Sequence, residues 1–419
     1  MLVFKFGGAS ISSIDRIQNV GKILSQYSSE KILIIISAMG KTTNALEKVA
    51  EAFFAQRNEQ ALQLFEQVKQ QHLTTAKYLL VKEYNKCEAR LVDFFTEVEW
   101  LLHDKPVRSY DYYYDQVVCC GELLSTCIVS HYLNEAGIKN CLMDVRDVVR
   151  TDDDFRDADI DWDYTQMKVK EIVLPLLDKY PIVITQGFIG STADNESTTL
   201  GREGSDYSAA IFANLLEVES QTIWKDVPSV MNADPKLFPD AVEMPLLSYD
   251  EVIEMAYYGA QVIHPKTIKP LYEKKIPLLV KCFLDPALPG TIISNKAVKS
   301  LPPVIIMKQQ QVLVNFKSKD YSFVGEHAVA KLYQVMEQLH LKPNMTQIGA
   351  ISFTALYDDR DDKLQQLASE ADKLFDVQLR KGLTMLTVRH YDMDTVNSLL
   401  TGKTTVLTQQ TPETIQVVY

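Results

Sequence analysis

The chain has 419 residues, 46% of them hydrophobic and 23% charged, with a formal net charge of −12. That length exceeds one ordinary domain and suits a globular fold with a large core, while the negative balance argues against nucleic acid or an anionic membrane as principal partner. The longest strongly apolar run, residues 32–36, is far short of the roughly 20 residues of a membrane span.

Met1-Leu2-Val3-Phe4 reads as the start of a strand, with no secretory pattern before it. Leu2 to Phe6 is apolar and aromatic, Gly7-Gly8 follows, and Ile14, Ile17, Val20 and Leu24 then recur at helical spacing. Residues 31–36 (KILIII) have the continuous apolar character of a strand buried on both faces. Thr43-Asn44 opens another helix, and residues 51–105 read as a helical excursion covering the sheet. Strand signals return at 141–145, 182–185, 221–224 and 277–280, so one doubly wound, mostly parallel α/β domain over residues 1–300 is expected. Leu301-Pro302-Pro303 reads as a linker. Beyond it, strands at 312–316 and 350–356 and helices at 328–339 and 363–375 make a small α+β module over 304–383, and a further strand is expected at 384–389. Residues 384–419 read as a second, shortened copy.

Six cysteines, at 87, 119, 120, 127, 141 and 282, contain no Cys-x-x-Cys pair, so reduced thiols in a cytoplasmic protein are expected and no metal site is assigned. Dinucleotide, zinc-protease and nucleophile-elbow motifs are absent, and Gly40-Lys41-Thr42 lacks the upstream glycine of a P-loop, that position being Ile35. Two segments carry anion chemistry. Lys5-Phe6-Gly7-Gly8-Ala9-Ser10 places a lysine at a strand end beside glycines and a helix start, which suits a polyphosphate or a tight turn with a solvated lysine. Residues 198–210 (TTLGREGSDYSAA) put Arg202 between glycines, able to clamp a carboxylate, and Asp206 at a helix start, where it is a functional acid or a cap. Asp152-Asp153-Asp154 with Asp157, Asp159, Asp161 and Asp163 lacks the glycine of a calcium loop and reads as a solvated acidic loop. Tyr110 to Tyr114, Cys119, Cys120 and His264 read as packing or structural residues.

Both segments resemble signatures of the aspartate kinase family, and matching stretches continue in order through SAMGKTTN (37–44), GELLS (121–125), QGFIGS (186–191), IWKDVPSVMNADP (223–235) and YGAQVIHPKT (258–267). The resemblance implies an amino-acid-kinase fold followed by ACT-type regulatory modules. It implies ATP-dependent phosphorylation of the β-carboxylate of L-aspartate, the first step towards lysine, threonine and methionine. Lys5, Gly7, Gly8 and Ser10 would face the ATP phosphates, with Asp206 orienting Lys5 or a magnesium-bound phosphate. Thr43, Glu122, Arg202 and Ser205 would surround aspartate, and Lys225, Asp226, Met231 and Lys236 the nucleotide. Mg2+ would sit mainly on the phosphates.

Departures from the family pattern are Ala9 for threonine, Glu203 for glycine, Lys225 for threonine and Gln261 for lysine; Lys225 or Lys266 is expected to restore the charge lost at Gln261. By the same resemblance, Phe323, Asn344, Met345, Gln347 and Ser352 are candidate contacts for lysine or threonine as inhibitor, and the modules would pair into a homodimer. Alternatives are another amino-acid kinase, for glutamate or acetylglutamate, or a catalytically silent amino-acid sensor on the same scaffold.

Overall fold

Short runs of β-branched and aromatic residues build the sheet of the first of two compact units in the computed structural model, which describes residues 1–320 and 322–419. This unit comprises residues 1–230, 243–253 and 262–298. β1 (Leu2–Phe6) leads through the paired glycines into α1 (Ile14–Ser25), whose first turn is capped by the Ser13 hydroxyl. β2 (Ile32–Ile36), buried at every position, leads into α2 (Thr42–Phe54). The helical excursion is α3 (Asn58–Leu79) and α4 (Tyr84–His103), followed by α5 (Tyr110–Val118) and α6 (Cys120–Glu135).

Next come β3 (Asn140–Leu142), α7 (Trp162–Lys168), α8 (Leu174–Lys179) and β4 (Ile182–Gln186), then a hairpin of β5 (Ile189–Ser191) and β6 (Ser197–Thr199). α9 (Gly204–Leu216), β7 (Ser220–Lys225), β8 (Leu246–Ser248), α10 (Tyr249–Tyr258), α11 (Pro265–Lys274), β9 (Leu278–Cys282) and β10 (Thr291–Ser294) complete the series.

The eight strands lie in the order β3-β4-β2-β1-β7-β9-β10-β8. All neighbours run parallel except β9 and β10. The chain winds one way from β1 through β2 and β4, and the other way through β7 and β9. Beside β1, therefore, the strand order reverses, and a crevice opens outside the carboxyl ends of such strands. One segment, Tyr110–Glu135, is long and apolar enough to cross a membrane, which no single run of the sequence indicates; 83% of its apolar window is buried in the fold, as in a core helix.

The second unit comprises residues 231–242, 254–261 and 299–419. It contains β11 (Val304–Ser318), α12 (Glu326–Gln338), β12 (Met345–Ile348), β13 (Ser352–Asp358), α13 (Asp361–Ala371), β14 (Phe375–Arg389), α14 (Met393–Leu399), β15 (Leu407–Gln410) and β16 (Thr414–Val418). Its sheet, β12-β13-β11-β14-β16-β15, is antiparallel throughout.

β11 and β14 are each far longer than the residue pattern predicts. The polar Gln309-Gln310-Gln311 run reads as a break, but the backbone absorbs it as a bulge, with Gln310 at φ 55 and the register shifting between Lys308 and Gln311. Residues 311–318 pair with 375–383, and 304–308 with 385–389. The two halves of this sheet are thus interleaved, because the second half takes a strand from ahead of the first. One core gathers Val312, Phe316, Leu332, Phe353, Leu364 and Phe375, and another Leu386, Val388, Val396, Ile415 and Val417.

Candidate active site

Lys5 projects at the carboxyl end of β1, and its ammonium meets the Asp206 carboxylate at 2.6 Å, with both side chains largely buried. Asp206 lies in the first turn of α9, so the pair joins the strand end to a helix N-terminus. Burial alone would raise the Asp206 pKa, but Lys5 and then Lys225 hold it below the usual carboxylate value. Lys225 ends β7 next to β1, and its ammonium donates to the Val262 carbonyl at 2.6 Å. Gly7 and Gly8 make the turn after β1. A β-carbon on Gly8 would lie 2.4 Å from the Ala38 carbonyl oxygen, so no other residue lets the turns after β1 and β2 approach this closely. Ser10 is buried and donates to the Trp224 carbonyl at 3.3 Å.

Glu122 enters from α6. The neighbouring Gly121 lets that helix press on Ala38 and Thr42, and one Glu122 oxygen accepts the Ala38 N–H at 3.1 Å. Its other oxygen is buried with no hydrogen-bond partner. Burial raises this carboxyl to about 8, opposed by the Ala38 N–H and by Lys5. An acid so placed lacks a donor, and an ammonium group would supply one. Thr43 stands half-exposed in the first turn of α2, and Ser205 is buried where a β-carbon on Gly187 would collide with it.

Arg202 lies four residues before Asp206, at the entrance to α9. It lines an open pocket of about 430 Å³ with Phe155, Arg156, Asp157, His264 and Lys266; Lys5 is not among the lining residues. Glu203, where the family pattern has glycine, adopts the left-handed backbone (φ 55) that glycine favours and accepts the His264 N–H at 3.0 Å. Lys266 pairs with Asp157 and lies here, whereas Lys225 sits within electrostatic reach of Asp206. Asp226 pairs with Arg16. Met231 and Lys236 belong to the second unit, and Lys236 is exposed.

Three pocket residues escaped the sequence reading. Asp157 is one of seven aspartates that look like a solvated loop, and Phe155 and Arg156 lie within that loop. They are positioned by Asp115, a fully buried carboxylate that accepts the N–H groups of Arg156 (3.0 Å) and Thr199 (2.8 Å) and the Thr199 hydroxyl (2.7 Å). Burial nevertheless raises Asp115 to about 6, against those hydrogen bonds. Arg156 is held at φ 76 with its guanidinium over Tyr114, an uncommon conformation for a non-glycine residue. The only sequence signal was an acid at helical spacing within an aromatic run.

Of the candidate effector residues, Phe323 is 83% exposed. Gln347 is exposed on β12, and Ser352 is half-buried at the start of β13. Met345 is buried. The Asn344 side chain is occupied by Lys308 (2.7 Å), Gln311 (2.8 Å) and Asp358 (2.9 Å).

The sequence matches the profile of the amino acid kinase family over residues 1–282. It is 30% identical over 409 residues to aspartokinase 1 (chloroplastic) of Arabidopsis thaliana, covering 92% of this chain and 70% of that one. With lysine-sensitive aspartokinase 3 of Escherichia coli it shares 28% identity, covering 94% and 88%. The crystal structure of E. coli aspartokinase III in complex with lysine and aspartate superimposes with a TM-score of 0.84 at 25% identity, covering 100% of this chain and 96% of that one. The complex of the same enzyme with aspartate and ADP gives 0.83 at 25% identity, with the same coverage. The chain belongs to the amino acid kinase family and, within it, to the aspartokinases.

Proposed function

We propose that this protein transfers the γ-phosphoryl group of ATP to the β-carboxylate of L-aspartate, forming 4-phospho-L-aspartate and ADP. The carrying observation is the buried Lys5–Asp206 pair at the end of β1, with Glu122 lacking a donor nearby. An anion must attack another anion here, so positive charge and alignment dominate the barrier. Lys5, fixed by Asp206, meets the transferring phosphoryl oxygens, and Lys225 adds charge beside it. Gly7, Gly8 and the first turn of α9 present backbone N–H groups.

Arg202 holds the α-carboxylate of aspartate, Glu122 takes its ammonium, and Thr43 and Ser205 close the site. The β-carboxylate is already ionised at neutral pH, so no general base is required. Asp226 serves the nucleotide; of the two lysines proposed to replace the lost charge, Lys225 is the one beside Asp206. Mg2+ would neutralise phosphate charge, and the donor set fits a metal carried by the nucleotide: Asp206 and Asp226 each already face a cation.

Residues 304–419 are the regulatory part, with one module over 304–383 and a shorter one over 384–419 following a catalytic domain of 1–300. Lysine in the E. coli aspartokinase III complex supports lysine as its effector. The accessible Phe323, Gln347 and Ser352 are the leading contacts, beside Asn344 and Met345. Strands β12 and β15 end the order of this sheet, and such edges support pairing with a second copy in a homodimer. Six free thiols support a reducing compartment such as the cytoplasm. A coupled ADP assay offering aspartate, glutamate and acetylglutamate tests the assignment: turnover with aspartate alone is expected, and turnover with either competitor but not aspartate refutes it.

A further inference from the structure

Apart from the anion-binding turns, α4 and α6 bring together three metal-ligating side chains that lie 40 and 4 residues apart in sequence. Cys87 and Cys127 are fully buried with their sulfurs 3.9 Å apart. His131, one turn beyond Cys127 on α6, brings a ring nitrogen to the same cluster. One ligand atom from each of the three lies within 4.8 Å of the others, and no other such group of three exists among the described residues.

A disulfide requires sulfurs about 2.05 Å apart. Two thiolates at about 2.3 Å from a tetrahedral zinc ion lie about 3.8 Å from each other, close to the separation found here.

The surroundings match a metal site in a second way. The Nδ1 of His131 lies 3.1 Å from the Glu83 carboxylate. That leaves Nε2 as the ligating nitrogen, in the carboxylate–histidine–metal order that fixes a ligand imidazole. Glu83 is itself held in place, because Glu135 accepts the backbone N–H groups of Val81, Lys82 and Glu83 at 2.9–3.0 Å. His131 also borders a cavity of about 360 Å³ whose walls include Arg90 and Asp144.

We propose that Cys87, Cys127 and His131 bind a divalent zinc-class metal ion that clamps α4 to α6. Two sulfurs and an imidazole select zinc over hard cations such as magnesium or calcium. The clamp would steady the helix that delivers Glu122, five residues before Cys127.

The test is titration of the reduced, chelator-treated full chain with Co2+ and then Zn2+. One equivalent of Co2+ should give thiolate-to-metal absorption and visible bands of a tetrahedral ion, lost on adding Zn2+, and Zn2+ alone should raise the melting temperature. Cys87→Ser and Cys127→Ser should each weaken binding at least about 100-fold, and Glu83→Gln about tenfold. Cys141→Ser should leave binding unchanged. If a cysteine variant does not fold, the wild-type titration and Glu83→Gln still decide. The proposal is overturned if the reduced wild type gives no thiolate band, or if binding survives removal of both cysteines. It is overturned equally if the pair forms a disulfide in air and the reduced protein takes no metal.

Discussion

The two sheets of this molecule treat their polar residues in opposite ways. In the parallel sheet, β2 and β4 are buried at every position, so polar chemistry is expelled to the carboxyl ends. There Lys5, Lys225 and the first turn of α9 converge. In the antiparallel sheet, β11 alternates buried and more open positions on either side of its bulge, and the open ones include Asn315 and Lys317. A sheet covered on both faces concentrates reactivity at one rim, whereas a half-covered sheet offers a broad surface for a small effector or a second copy.

The contrast predicts where substitutions act. The largest effect should come from the rim: Lys5→Met combined with Asp206→Asn, which leaves no buried charge unpaired, should lower kcat about 10³-fold or more, roughly 4 kcal/mol, with the circular dichroism spectrum unchanged. A loss below tenfold would remove the pair from the chemistry. Next comes the doubly buried strand. Ile34→Ala should cost about 3 kcal/mol in denaturant unfolding, whereas Gln378→Thr, exposed on β14, should stay within about 0.5 kcal/mol. Equal costs would mean the sheets do not differ as described.

A subtler effect concerns Glu122. Its folded pKa, about 8, is raised above the unfolded value, so the folded state holds the extra proton between pH 4.5 and 8. Its contribution is therefore fully present below pH 4.5 and is lost as pH rises through 8. Glu122→Gln should accordingly raise the melting temperature more at pH 8 than at pH 5 while weakening aspartate binding. A pH-independent change would show that Glu122 is not a buried acid. The smallest effect belongs to the open face: Gln347→Ala or Phe323→Ala should shift the lysine concentration for half inhibition by several-fold, about 1 kcal/mol. Unaltered inhibition would place the effector elsewhere.

The parallel sheet was legible because each of its central strands is a compact apolar run ending in a glycine or polar turn. The placing of Lys5 at a strand end and of Asp206 at a helix start was legible because a glycine-containing turn adjoins each. The long antiparallel strands were not, since Gln309-Gln310-Gln311 and Arg380-Lys381-Gly382 interrupt the hydrophobic pattern without breaking the ladder. The 155–157 pocket wall and the Cys87–Cys127–His131 cluster were hidden for another reason. Both are made by side chains distant in sequence whose types, an aspartate run and scattered cysteines, have ordinary structural explanations.

Hydroxamate capture of the acyl phosphate is the most direct measurement of the central claim, that Lys5, Asp206, Glu122 and Arg202 serve one site joining ATP to aspartate. Wild-type protein with ATP and aspartate should yield aspartyl hydroxamate in step with ADP, and Arg202→Ala should require far more aspartate to do so. Hydroxamate formed from aspartate at the wild-type rate after loss of Lys5, or none at all from the wild type, would contradict it.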